Sequence, residues 1–192
     1  MSTKPVIVEN SHPPAASPAI PRSTEYGDLV RRICRTRSVL AVVGAGAGSR
    51  SKDAVRGIAG ALAGAGHRVV IVDVNALLEN GPLAARDFAA GPFPNIKLWP
   101  PSDPGENLFQ PVRLPGAHSE WLPSLRREFD VVILDCPPLQ SDPAAVDIAA
   151  MADAAVLVVE SGVTSKRQIK LDQRHMELQG VKLAGCILMD RR

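Results

Sequence analysis

The sequence is poor in cysteine, aromatic residues and net charge, and it has no long apolar run. Its three cysteines, Cys34, Cys136 and Cys186, are odd in number and far apart. With no C-x-x-C pair, neither a zinc knuckle nor a disulfide framework is expected. Each lies in or beside an apolar segment, which suits buried thiols in a reducing cytosol. Aromatics make up 4% of the chain and Tyr26 is its single tyrosine, so few stacking platforms are available. The formal net charge of +2 is too small to indicate nucleic acid as a partner. No run approaches the ~20 apolar residues that span a bilayer. The first residues, MSTKPVIVENSHPP, contain no apolar h-region, so no secretory signal is expected. What the chain does have is a 45% hydrophobic content over 192 residues, enough for one sizeable core.

Residues 1–22 are rich in Pro, Ser and Ala and are expected to form a disordered arm. The single domain is then 23–192. Glu25 to Arg35 has helical spacing, with Leu29, Val30 and Ile33 as its apolar stripe. From Ser38 onward, apolar runs of strand length recur at 39–43, 68–73, 95–99, 130–135, 154–160 and 182–188. They are unalternated and rich in Val and Ile, as strands covered on both faces should be. Helical segments at 52–65, 118–129, 142–152 and 165–179 separate most of them. In the last, Ile169, Leu171, Met176 and Leu178 are the expected apolar stripe. Such alternation predicts an α/β fold, a doubly wound and mostly parallel sheet between two helical layers. The proline-rich stretch 76–117 reads as long connections around one short strand.

The richest segment runs from Val39 to Asp73: strand, glycine-rich turn, helix, strand. Gly44, Gly46 and Gly48 let backbone approach an anion, and the following helix supplies free N–H groups and a partial positive charge. That is the plan of a phosphate-binding loop, G-x-x-x-x-G-K-[ST], in which lysine reaches the terminal phosphates and the hydroxyl holds magnesium. Here the residues are scrambled. After Ser49, Arg50 stands where the last glycine belongs and Ser51 where the lysine belongs. Lys52 and Asp53 stand where hydroxyls belong. A charge-assisted contact to phosphate contributes roughly 1.5–3 kcal/mol, so its loss should weaken nucleotide binding. Lys52 is displaced by one residue, a rotation of about 100° on a helix, and is expected to point elsewhere. Asp53 adds a negative charge where phosphate oxygens would sit.

Two strands end in aspartate, Asp73 and Asp135. An acid at the carboxyl end of a central parallel strand lies at the edge where such folds bind ligands, and it can hold magnesium directly or through water. A different reading of VVGAGAGS, as a dinucleotide-binding G-x-G-x-x-G with Asp73 as the ribose-binding acid, has Ser49 in place of the last glycine.

On these residues the chain, from 25 to 190, resembles the tyrosine autokinase branch of the deviant-Walker P-loop ATPases, the bacterial kinases of capsule and exopolysaccharide assembly. ALAGAGHRVVIVDVN (61–75) resembles the second helix-strand unit of that family. FDVVILDCPP (129–138) resembles its Walker B stretch, 141–169 the segment after it, and KLAGCILMD (182–190) its last strand. The resemblance implies a P-loop NTPase-like fold, ATP or ADP with magnesium as cofactors, and Asp190 near the adenine. It implies, as partner, the cytoplasmic tail of a membrane-embedded chain-length protein, and a homo-oligomer formed through helix 25–35. The protein would then lie in the cytoplasm, at the inner face of the plasma membrane. Departures are equally specific. The loop lacks its lysine and its Ser/Thr. The second Walker motif ends in Asn75 instead of aspartate. Asp28 replaces the first arginine of the oligomerisation motif, and no tyrosine-rich tail is expected. The expectation is a catalytically degenerate relative, regulatory or scaffolding in role, with weak or no nucleotide binding. An active ATPase or tyrosine kinase using Lys52 is the alternative within the same pathway.

Overall fold

The computed structural model describes residues 9–10, 26–27, 38–46, 50–80, 88–99, 121–142 and 144–190. Eight strands form one sheet: β1 (Glu9–Asn10), β2 (Ser38–Gly44), β3 (Val69–Asp73), β4 (Ala89–Ala90), β5 (Ile96–Trp99), β6 (Val131–Cys136), β7 (Ala154–Glu160) and β8 (Leu183–Met189). Their order across the sheet is β1-β8-β7-β2-β6-β3-β5-β4. All neighbours are parallel except β4 with β5. Five helices are described: α1 (Ser51–Gly64), α2 (Val74–Asn80), α3 (Trp121–Glu128), α4 (Ala144–Ala150) and α5 (Lys166–Leu178).

The six apolar runs become β2, β3 and β5 to β8, and β2 is buried along its whole length. Alternate side chains feed two cores. Val39, Ala41 and Val43 of β2 join α2, α3, α4 and α5 on one face. Leu40 and Val42 join α1 and Tyr26 on the other. The result is the expected three-layer α/β/α sandwich. The order also decides against the dinucleotide-binding alternative. In that fold the first two strands of the unit are neighbours; here β6 lies between β2 and β3.

Several local expectations need correction. The stretch after Asp73 is not all connection: α2 begins directly at Val74, and β4 adds a short antiparallel edge. Leu77 carries α2 into the core with no exposure, a signal too brief for helical periodicity to register. Two residues of the N-terminal arm, Glu9 and Asn10, pair with Leu188 and Met189; the rest of that arm and most of 25–35 lie outside the described residues. Helix α3 carries Pro123 in its first turn, where its missing N–H has no intrahelical partner to lose.

The stripe assigned to α5 splits. Met176 is fully buried and Ile169 packs beside it, while Leu171 and Leu178 are 52% and 74% exposed. In their place Asp172 faces inward at 2% exposure. Its Oδ1 accepts bonds from Nε2 of Gln140 at 2.6 Å and of Gln168 at 2.9 Å. Burial raises its pKa, against those two donors. A carboxyl held through one oxygen can thus occupy an inward position that hydropathy alone assigns to leucine, although its Oδ2 is buried without a partner among the described residues.

Candidate phosphate-loop site

The site lies where β2, β3 and β6 end. Gly44 closes β2, and Ala45 continues the ladder by donating to the Val158 carbonyl at 2.8 Å. Gly46 takes φ +81°, a left-handed conformation that a side chain disfavours. Thr164, in the turn after β7, braces this point: its hydroxyl donates to the Ala45 carbonyl at 3.3 Å and accepts from the Glu160 amide at 3.1 Å. Sequence reasoning assigned Thr164 no role, because its partner lies far along the chain. Gly48 and Ser49 lie outside the described residues.

Arg50 precedes α1. Its Nε donates to Asp53 Oδ2 at 2.8 Å and its Nη1 to the Asp190 carbonyl at 3.2 Å. Its guanidinium therefore ties the helix start to the end of β8. Asp53 turns to Arg50 and brings a carboxylate to the first turn of α1, where it offsets the helix's own positive end. Asp190 reaches the site through its backbone oxygen. Ser51, in the lysine's place, is buried.

Lys52 does not turn away. Its Nζ stands 3.9 Å from Asp73 Oδ2, with the side chain 68% exposed. The register of helix start against strand end carries it to the acidic edge, which the rotation argument alone did not anticipate. Asp73 and Asp135 are direct partners across β3 and β6. Asp73 Oδ1 also accepts the Ala76 amide at 3.1 Å, so it caps α2 as well as closing a strand. Burial, and then the charge of Asp73, push Asp135 up to about 6, with Lys52 and Arg56 pulling it down. Next to it, burial pushes the Cys136 thiol well above its ordinary value.

Two adjacent carboxylates are suitable donors for magnesium, which usually keeps several waters and adds substrate phosphates. Among the described residues, Asp73 and Asp135 are the carboxylates placed to ligate it, and the ammonium of Lys52, which cannot ligate, stands beside them.

Comparison with solved structures places this architecture. The kinase domain of the Escherichia coli tyrosine kinase ETK matches with a TM-score of 0.65 over 91% of this chain and 77% of that one, at 17% identity. The BceF tyrosine kinase domain matches at 0.63, over 88% and 74%, with 23% identity. The chimerical protein CapA2B2 matches at 0.70, over 90% and 85%, with 19% identity. This is the fold of the bacterial tyrosine kinase domains. No protein-family model and no curated protein sequence matches the chain. The likeness thus resides in the path of the backbone, as the altered loop would lead one to expect.

Proposed function

We propose that this chain is a catalytically degenerate, tyrosine-kinase-like protein that serves as a regulatory or scaffolding component of exopolysaccharide or capsule polymerisation and export. In this reading it works in the cytoplasm beside the membrane. It docks on the cytoplasmic tail of a membrane-embedded chain-length protein and assembles with copies of itself through helix 25–35. The fold it shares with tyrosine kinase domains supports the setting. The observation that carries the loss of chemistry is at the start of α1: buried Ser51 occupies the place of the phosphate lysine, and the Arg50–Asp53 pair occupies the helix end. The chain's single tyrosine, Tyr26, is 1% exposed, which keeps it from accepting a phosphoryl group in the folded state. Radiolabelled ATP with magnesium provides the test, read as both hydrolysis and transfer to protein. The expected result is neither above a no-protein control; sustained turnover overturns the proposal.

One observation favours a second reading, an active ATPase or tyrosine kinase of the same pathway. Lys52 stands at the acidic edge, where its ammonium would be near a bound phosphate. On that reading Lys52→Ala and Asp135→Ala each abolish turnover. Turnover that persists in both variants rejects it.

A further inference from the structure

Helix α5 exposes what helices usually bury. Among the described residues, the large hydrophobic side chains that stand exposed are Val163, Leu171 and Leu178, the first in the turn just before α5 and the others on it. Steps of three and four residues place Arg167, Leu171, Arg174 and Leu178 on one stripe, with Lys170 beside it. All five are exposed. The opposite side is anchored by Ile169, Asp172 and Met176, so the helix has no freedom to rotate its leucines inward. None of these cations forms an ion pair with a described residue. Leu171 stands between two open depressions. One, of about 440 Å³, is closed on its far side by Leu139 and Gln140 of the loop after β6. The other, of about 430 Å³, is walled by Lys166, Arg167 and Lys170.

We infer that the outer face of α5 is a docking surface for an acidic amphipathic helix of a partner protein. Leucines recurring at the spacing of two helical turns are the anchors of helix-against-groove recognition. The interleaved arginines and Lys170 demand carboxylates between the partner's apolar residues and reject a basic segment. The depressions on either side of Leu171 give apolar side chains of the partner somewhere to enter, which a flat bilayer surface would not use. The inference is independent of whether nucleotide binds. Since one depression is walled by the loop that leaves Asp135, an occupant would touch the segment leading from the acidic edge.

Fluorescence anisotropy with the full chain tests this. The probe is a labelled synthetic helix carrying leucines at i, i+3/i+4 and i+7 flanked by glutamates. Its controls are a scrambled peptide of the same composition and a glutamine-for-glutamate version. Saturable, salt-sensitive binding of the acidic helix alone is expected. Leu171→Ser with Leu178→Ser, and separately Arg167→Glu with Arg174→Glu, should each weaken it about tenfold or more. Both pairs lie on the surface, so circular dichroism and melting should not change. Hydrogen exchange over 166–178 should slow when the peptide is added. Absent binding, equal binding of the scrambled peptide, or binding indifferent to all four substitutions overturns the inference. It is also overturned if the acidic helix fails to bind while the same variants abolish attachment to phosphatidylglycerol vesicles or abolish self-association in sedimentation.

Discussion

Asp135 shows how one residue's position sets a measurable energy. Its folded pKa of about 6 lies above the ordinary carboxyl value of 3.8 because of burial and the adjacent Asp73. The folded state therefore binds the proton more tightly than the unfolded chain. Stability is greatest below the unfolded value and falls as pH rises from about 4 to about 6. The full difference amounts to about 3 kcal/mol at most, less with solvent screening at this open edge. Asp135→Asn should flatten the loss between pH 4 and 7 and raise the melting temperature at pH 7, as thermal unfolding across that range would show. A parallel pH dependence in wild type and variant would refute the assignment. Lys52 pulls the same group down, so in Lys52→Ala the Asp135 carboxyl should titrate at higher pH, followed by carbon-13 NMR. The acids themselves were legible in the sequence, since a strand ending in Asp is a pattern. The lysine's direction was not, because it depends on how α1 leaves the turn.

At the scale of elements, α1 and the segment around Tyr26 are joined by a missing side chain. A Cβ added at Gly57 would lie 2.3 Å from the Tyr26 ring, well inside contact. Gly57→Ala must displace a ring that is almost wholly buried. It should cost about 1–3 kcal/mol, although alanine is the better helix former. Chemical denaturation measures this; a stabilised Gly57→Ala would contradict the packing. The main strands and the long helices were readable because apolar runs are local. In the structure, Asp142 caps α4 by accepting the Ala144 amide at 2.8 Å, and Ser165 caps α5 by accepting the Gln168 amide at 3.1 Å. Helix α2 and the inward Asp172 were not readable. The first is too short for a period to emerge, and the second depends on two glutamine partners, one of them 32 residues away in sequence.

For the whole molecule, alternation of strand and helix pointed to a parallel sandwich, while the strand order that places β6 between β2 and β3 came from the structure. That order puts the glycine turn, Asp73 and Asp135 on one edge, so the location of the site followed from the sequence once the fold was known. Its chemistry did not follow from the fold, because Arg50, Ser51, Lys52 and Asp53 differ in kind from the residues a phosphate loop uses. The central claim is that the strand-turn-helix frame persists while its side chains no longer grip phosphate. The direct measurement is calorimetric titration of ATP with magnesium into two proteins, the natural chain and the variant Arg50→Gly/Ser51→Lys/Lys52→Ser/Asp53→Thr. The account predicts no saturable heat below millimolar nucleotide for the natural chain, and binding at least about tenfold tighter for the variant, as a regained phosphate contact implies. Micromolar binding by the natural chain, unimproved in the variant, would contradict it.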